Sequence, residues 1–248
     1  MFWAVGTDGG EGALTGQAGE PALSGVEGPK LPERATTHLT TFLFIAGFSY
    51  LLGSIPFGYL LMRAFRGQDV RETGSGNIGA TNVARSSPTL GALTLLLDAA
   101  KGLLAVCVTA QIVNRTSLGY YDPRVVSMMS MAALFAIAGH VFPVWLKFRG
   151  GKGVATGLGS FVVIAPKTVV VMVAIFVVAV LAFRYISLGS ILAVALFPLL
   201  AWALNDYRQT PAVLGFMAAA SVLIIAKHHG NLRRLLAGTE NRWQWRRG

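Results

Sequence analysis

The chain has 248 residues, of which 54% are hydrophobic and only 13% charged, with a mean hydropathy of +0.58. A soluble globular domain carries roughly 25% charged residues, so this composition excludes an ordinary soluble domain and indicates a membrane protein. The formal net charge is +10, but most basic residues stand between apolar segments. They therefore suit membrane orientation and anionic partners, and we expect membrane lipids and no nucleic acid as partners.

Residues 1–38 are rich in Gly and Pro, contain five acidic residues and show no apolar periodicity. This composition predicts a disordered N-terminal extension, followed by one membrane-integral domain at 39–248. The acidic start lacks the basic region that precedes the apolar core of a signal peptide.

Apolar segments follow one another from Leu39 onward. They lie at about 39–62, 88–113, 125–147, 153–165, 167–183, 187–204 and 211–227. A straight membrane-spanning helix needs roughly 20 residues. The fourth segment is shorter and is interrupted by Gly157 and Gly159, which indicates a half-helix or a re-entrant segment. The predicted fold class is an all-α polytopic membrane protein with about seven transmembrane helices, one of them short.

The distribution of basic residues predicts the orientation. With seven crossings and the N-terminus outside, fourteen bases of the loops and the C-terminal end fall on the inner side and four on the outer side. Basic residues favour the cytoplasmic side, so we predict a cytoplasmic C-terminus. Five or seven crossings satisfy this rule, whereas six place the basic C-terminus outside. The segments show no clean internal repeat, which disfavours a transporter built from two matching halves.

The first polar cluster, residues 73–85, lies in a predicted cytoplasmic loop. Gly74, Gly76 and Gly79 match a dinucleotide-binding fingerprint by spacing, but that fingerprint requires a preceding strand, and here a membrane span precedes it. Glycines expose backbone N–H groups, which together with hydroxyls, amides and one guanidinium suit an oxyanion such as phosphate. The candidate ligand contacts are Gly74, Ser75, Gly76, Asn77, Gly79, Thr81, Asn82 and Arg85. A flexible polar connector is the alternative.

The second cluster, residues 148–156, resembles a phosphate-binding loop. It is not a Walker A motif, because Lys152 is followed by Gly153 instead of Ser or Thr. Glycines let the backbone approach a ligand, and a helix that begins after Lys152 would present its positive end. The candidates are Gly150, Gly151, Lys152, Gly153 and Thr156. A basic anchor at the membrane interface is the alternative.

The third cluster, residues 227–240, contains His228 and Asn231, which share a helical face and could hold the hydroxyls of a small substrate. Its arginines could instead contact lipid, and this interpretation is favoured for Arg242, Arg246 and Arg247, which follow the cluster. No carboxylate or Cys stands at ligand spacing from His140, His228 or His229, so we expect no metal and no cofactor.

Two ionisable residues, Asp98 and Lys101, lie three apart within the second apolar segment. Such residues are costly in a membrane, so we expect them to pair with each other or to face the protein interior, and a structural ion pair is favoured over catalysis. His140, at the end of the third segment, is interpreted as a polar contact at a helix end, with a catalytic base as the alternative.

Together these stretches resemble the membrane-integral acyl-phosphate:glycerol-3-phosphate acyltransferase family, known as the PlsY family. The resemblance covers about residues 42–241. It is carried by LGSIPFG (52–58), GSGNIGATN (74–82) with Arg85, Asp98 with Lys101 and Gly102, GHVFP (139–143), GGKGVAT (150–156), and His228 with Asn231 and Glu240. Any one stretch is weak, but all of them in this order are highly specific.

The resemblance implies a seven-helix fold in the bacterial plasma (inner) membrane with the active site facing the cytoplasm. It implies acyl-phosphate and glycerol 3-phosphate as substrates, and lysophosphatidic acid and phosphate as products. An acyl phosphate is already activated, so no covalent nucleophile is required. The His-x4-Asp box of other glycerolipid acyltransferases is absent, since no Asp stands five places after any of the four His residues.

The catalytic candidates are Ser75, Arg85, Lys152, His228 and Asn231. We expect Ser75, Thr81, Arg85, Lys152 and the loop N–H groups to hold phosphate, and His228 and Asn231 to orient glycerol 3-phosphate. His140 and Glu240 complete the predicted substrate-binding set. An organic-anion transporter and a structural membrane subunit are the rival interpretations.

Overall fold

A computed structural model describes residues 33–114, 122–204, 207 and 210–243. All regular elements in these ranges are helical. The α-helices are α1 Glu33–Gly53, α2 Phe57–Arg66, α3 Ala80–Ser86, α4 Pro88–Asn114, α5 Pro123–Val141, α6 Val154–Phe161, α7 Pro166–Phe183, α8 Ile186–Ala203, α9 Pro211–Lys227 and α10 His229–Leu236. Two 3₁₀ turns cover Val70–Glu72 and Val144–Leu146. Of the predicted N-terminal extension, residues 1–32 lie outside the described part, and residues 33–38 belong to α1.

Local sequence sets where several of these helices begin. The helices α4, α5, α7 and α9 each start at a proline, whose fixed φ and missing N–H suit the first helical position. Asp122 also caps α5, because its side chain accepts a hydrogen bond from the backbone N–H of Arg124.

Each predicted apolar segment is helical, the first being divided between α1 and α2, and the fourth is indeed short, since α6 has eight residues. Among the described residues, five segments are long and apolar enough to cross a membrane: Leu39–Arg66, Pro88–Val113, Pro123–Leu146, Pro166–Phe183 and Ile186–Ala203. The pair α9 and α10, bent by 56°, would make a sixth. The chain is thus a multi-pass helical protein by length and composition, while seven crossings and the orientation of the termini remain predictions.

Helix α5 is the central element of the fold. In its most apolar window 67% of the residues are buried, compared with 22% for α7. It packs against α1, α4, α6 and α9. Its C-terminal end, at Val141, therefore lies where several other helices also end, and this is where the polar loops meet.

Two glycines allow helix backbones to touch. A Cβ at Gly139 of α5 would lie 2.1 Å from the carbonyl oxygen of Tyr50 in α1, and a Cβ at Gly159 of α6 would lie 1.9 Å from that of Ala99 in α4. Close approach at small residues is a common way to pack helices in membranes, where van der Waals contact replaces the hydrophobic effect.

The ion pair expected in the second span is present. The Nζ of Lys101 lies 2.8 Å from Oδ1 of Asp98, and both side chains are almost fully buried. Lys101 also donates a hydrogen bond of 2.7 Å to the carbonyl of Ile55, in the break between α1 and α2. This bond joins the broken first segment to α4.

We predict that Gly159→Ala lowers the thermal unfolding midpoint in detergent, because the added methyl overlaps the α4 backbone. Overpacking of this kind costs about 1–3 kcal/mol. Gly215→Ala in α9 is the matched control, since a Cβ there meets nothing within 4 Å. It should leave the midpoint unchanged or raise it through helix propensity. Equal midpoints for Gly159→Ala and wild type would contradict the close α4–α6 contact.

Candidate active site

The first glycine loop, residues 73–79, is shaped by one buried amide. The side chain of Asn82 donates from Nδ2 to the carbonyls of Val70, Thr73 and Asn77 at 3.0, 3.0 and 2.9 Å, and its Oδ1 accepts from the N–H of Ser75 at 2.8 Å. Asn82 is 3% exposed. Its amide is therefore committed to the loop backbone, although the sequence suggested a direct ligand contact.

The same loop exposes groups that a ligand can reach. Gly74 and Gly76 have φ of 55° and 68°, which a glycine adopts readily. A Cβ at Gly74 would lie 2.3 Å from Oδ1 of Asn82 and 3.2 Å from Nη1 of Arg85. The guanidinium of Arg85 thus lies beside this turn, and Ser75 and Thr81 are exposed next to it. These three exposed side chains are available to a ligand, and their role in holding phosphate stays a prediction.

The second glycine loop rests on the end of α5. The N–H groups of Gly150 and Gly151 donate to the carbonyls of Val141 and His140 at 3.2 and 3.0 Å. Gly153 has φ of 89° and packs near Ile224 of α9. The loop therefore runs from α5 to α9 before α6 begins at Val154, and it carries Lys152 toward the end of α9.

Electrostatic contacts place Lys152 among charged groups from all three clusters. Burial lowers the pKa of Lys152 to about 8; the negative charge of Glu240 opposes this shift, and the positive charges of Arg234 and Arg85 reinforce it. Residues separated by more than 150 positions in sequence thus converge on one basic site. An excess of positive charge of this kind suits a phosphate ligand.

His228 lies at the junction of α9 and α10 and is 2% exposed. Its Nδ1 is 2.8 Å from the carbonyl oxygen of Ile224. Because a carbonyl can only accept, Nδ1 carries the proton, and Nε2 of the neutral ring is left as an acceptor. The ring is therefore prepared to accept a hydrogen bond from a substrate hydroxyl.

Glu240 holds the third cluster together. Its Oε1 accepts from Ser187 Oγ at 2.7 Å and from Asn231 Nδ2 at 2.6 Å, and its Oε2 accepts from Arg234 Nε at 2.7 Å. Burial alone would raise the pKa of Glu240, but hydrogen bonds from Asn231, Ser187 and Arg234 outweigh it and keep the pKa below its ordinary value. Glu240 is therefore an anion, and its carboxylate fixes the side chain of Asn231.

The C-terminal segment is tied to the start of α8 at further points. The backbone N–H of Trp243 donates to the carbonyl of Arg184 at 2.6 Å, and the guanidinium of Arg242 donates to the hydroxyl of Tyr185 at 3.0 Å. Arg242 was assigned a lipid-contacting role from sequence, but here it also contacts protein. These contacts hold α10 over the site.

Two predicted ligand residues face the interior. Thr156 is fully buried and its carbonyl packs against Gly102 of α4, while His140 is 4% exposed and its Nδ1 lies 3.5 Å from Oδ1 of Asp98. Sequence reasoning did not assign Ser187 and Arg234, which hold Glu240. Ser187 is 53 residues away from Glu240 and gives no sequence signal, whereas Arg234 stands in the third cluster and could have been paired with it.

The site as a whole offers backbone N–H groups, two or three cations and a neutral imidazole acceptor. Within the described ranges, no three His, Cys, Asp or Glu residues are close enough to bind a metal together. The arrangement suits binding of phosphate esters and stabilisation of negative charge that develops during a group transfer.

Comparisons with known proteins agree with this chemistry. A family model described as glycerol-3-phosphate acyltransferase matches residues 43–238. The glycerol-3-phosphate acyltransferase of Geobacter sulfurreducens is 45% identical over 203 residues, which are 82% of this chain and 97% of that protein. The enzyme of the same name from Syntrophotalea carbinolica is 42% identical over 207 residues, covering 83% and 100%.

Solved structures give the same picture. The crystal structure of PlsY (YgiH), an integral membrane glycerol 3-phosphate acyltransferase, in its glycerol 3-phosphate form matches with a TM-score of 0.72 and 34% identity, covering 82% of this chain and 96% of that one. Its lysophosphatidic acid form matches with a TM-score of 0.70 and 33% identity. The resemblance inferred from the motifs is confirmed.

We predict that Asn82→Ala releases the first glycine loop, since four backbone groups each lose a hydrogen bond at once. Amide hydrogen exchange of a peptide covering 70–79 should become at least about tenfold faster, while exchange in α7 and α8 stays unchanged. Asn77→Ala removes only the acceptor of the Gly79 N–H and should have a smaller effect. Equal exchange in both variants would show that Asn82 does not organise the loop.

Proposed function

The chain belongs to the membrane-integral glycerol-3-phosphate acyltransferase family, and we propose that it transfers an acyl chain from acyl-phosphate to glycerol 3-phosphate at the cytoplasmic face of a bacterial plasma membrane. The products are lysophosphatidic acid and inorganic phosphate. The acyltransferase activity on glycerol 3-phosphate follows from the family. The donor, the orientation and the roles of individual residues are the parts that we propose.

One observation supports the proposal most directly: Lys152 shares an electrostatic environment with Arg85, Arg234 and Glu240, and His228 lies within the same field. Both substrates carry phosphate, and the cations stand beside two glycine loops. Charge-assisted hydrogen bonds to phosphate are roughly twice as strong as neutral ones. A site of this kind can hold two phosphate esters near each other.

The reaction needs no group from the protein to form a covalent intermediate. In the proposed step the acceptor hydroxyl oxygen of glycerol 3-phosphate attacks the acyl carbon, and the bond from that carbon to the phosphate oxygen breaks. The hydroxyl proton passes to substrate phosphate, as the family resemblance suggests. Ser75, Arg85 and Lys152 stabilise the negative charge that grows on the departing phosphate.

His228 and Asn231 orient the acceptor. The Nε2 of His228 accepts the hydrogen bond of a glycerol hydroxyl, because Nδ1–H is already bonded to Ile224. Asn231 has one N–H committed to Glu240 and retains its carbonyl oxygen and a second N–H for the substrate. Holding the hydroxyl near the acyl carbon lowers the entropic part of the barrier.

We propose that the remaining predicted residues support the site indirectly, by holding other protein groups in place. Asn82 and Glu240 are bonded to protein groups, and Thr156 lies in the α4–α6 interface. The glycines shape the two loops and leave room for phosphate, while the N–H groups of Gly76, Gly79, Gly150 and Gly151 are bonded within the protein. The acyl chain would lie among the apolar helices that surround α5.

The reaction is tested by giving the purified protein glycerol 3-phosphate together with either acyl-phosphate or acyl-CoA, and by measuring lysophosphatidic acid. We expect product from acyl-phosphate only. Product from acyl-CoA alone would overturn the proposed donor. No product from either, in protein with a cooperative unfolding transition, would overturn the proposed reaction, and flux of glycerol 3-phosphate into sealed vesicles would then indicate a transporter.

We further predict a pH dependence that resides in Lys152. Its ammonium is charged below its pKa of about 8, so kcat/KM for glycerol 3-phosphate should be constant from about pH 7 to 8 and fall above pH 8 by up to about tenfold per pH unit. The substrate phosphate, with a second pKa of about 6, does not change charge in this window.

Lys152→Arg is the matched variant, because arginine stays charged throughout. Whatever its absolute rate, its pH profile should lose the decline above pH 8. An identical decline in wild type and Lys152→Arg would assign the titration to another group. Lys152→Ala should reduce kcat/KM at least about a hundredfold, in line with the loss of one charge-stabilising donor.

A further inference from the structure

We propose that His140 is a positioning residue for the second glycine loop, so that its imidazole, held from below by Asp98, sets where Gly151 and Lys152 lie. This inference rests on the proposed function of that loop in holding substrate phosphate, in a site where both phosphate-bearing substrates lie near each other. It replaces the direct ligand contact that the sequence suggested for His140 with an indirect role.

The contact between His140 and Gly151 is unusually close. A Cβ at residue 151 would lie 2.0 Å from Nε2, 2.7 Å from Cε1 and 2.9 Å from Cδ2 of His140. The tip of the ring therefore occupies the space of a side chain at 151. The backbone adds a second link, since the Gly151 N–H donates to the His140 carbonyl at 3.0 Å.

The ring is fixed from its other side. Its Nδ1 lies 3.5 Å from Oδ1 of Asp98, which in turn is 2.8 Å from Nζ of Lys101. Nδ1 has no hydrogen-bonding partner among the described residues, so packing holds the ring beside Asp98. All three side chains are less than 5% exposed. A rigid, fully packed support of this kind transmits small displacements to whatever rests on it.

The loop above this support is short and leads directly to the site. Lys152 follows Gly151, and Gly153 turns the chain with φ of 89° into α6. A shift of the Gly151 backbone therefore moves the Lys152 ammonium and the neighbouring N–H groups together. Displacement of a binding group by about 1 Å can lower the rate a hundredfold, so the position of the His140 ring affects function through Lys152.

The test combines a substitution in the loop with one beneath it. Gly151→Ala puts a methyl into the imidazole. His140→Asn keeps an amide near the position of Nδ1, facing Asp98, but removes the ring tip below residue 151. We measure the dissociation constant for glycerol 3-phosphate by titration calorimetry, kcat, and the unfolding midpoint for wild type, both single variants and the double variant.

We expect Gly151→Ala to weaken glycerol 3-phosphate binding at least about tenfold, and His140→Asn about threefold. In the double variant binding should return to within about threefold of His140→Asn alone, because the methyl then has room. The change in binding should exceed the change in kcat for every variant.

Two controls separate this contact from general loosening. A Cβ at Gly150 meets the backbone carbonyl of His140 and the ring of Pro143, so His140→Asn should not rescue Gly150→Ala. His140→Gln places an amide near the position of the ring tip and should not rescue Gly151→Ala. Rescue in either control would overturn the proposal.

Two further outcomes would also overturn it. If the double variant shows the product of the two single losses, the ring and the loop are not coupled. If the unfolding midpoint recovers but binding does not, His140 has only a structural role. Loss of the proposed function would appear differently, as wild-type protein that makes no product from acyl-phosphate.

Discussion

The buried pair of Asp98 and Lys101 is the constraint on which the rest of the site depends. A charge in a membrane interior is stable only with its partners in place. Lys101 also donates a hydrogen bond to the carbonyl of Ile55, where the break before Pro56 leaves backbone groups without helical partners. The pair thereby fixes the broken first span against α4. On its other side Asp98 faces His140, which brings the end of α5 into the same cluster.

Each of the three polar loops rests on one buried or bonded polar residue. Asn82 forms hydrogen bonds with the backbone of the first loop, and the ring of His140 packs against Gly151 of the second. Glu240 accepts a hydrogen bond from Asn231 of the third. These supporting groups contact other protein groups. The groups that we propose to contact a ligand are Ser75, Lys152 and the Nε2 of His228. This division explains why conspicuous polar residues in a motif need not contact substrate. Their role is to reduce the freedom of the loop, and preorganised donors are the more effective ones.

Much of the fold was predictable from the sequence because a membrane helix needs only a long apolar run, and all seven runs coincide with helices. The Asp98–Lys101 pair was predictable for a similar reason, since two charges three apart on one helix can meet. The bend between α9 and α10 and the contact of Glu240 with Ser187 were not. Ser187 approaches Glu240 only through the packing of α8, and no local pattern records such a contact. Thr156 shows the same limit: its motif suggested a ligand, but the α4–α6 contact buries it.

The charges of the site favour the binding of an anionic substrate, as the proposed function requires. Arg234 is neutralised by Glu240, whereas Lys152 and Arg85 have no carboxylate partner of their own in the described ion pairs. Burial and neighbouring positive charge both disfavour the ammonium of Lys152 and lower its pKa to about 8. A phosphate dianion between these groups would replace the repulsion among the cations with attraction, because each cation then has an opposite charge at short range. In the proposed reaction this attraction strengthens further as charge moves onto the departing phosphate, so cations that bind the substrate would favour the transition state over it.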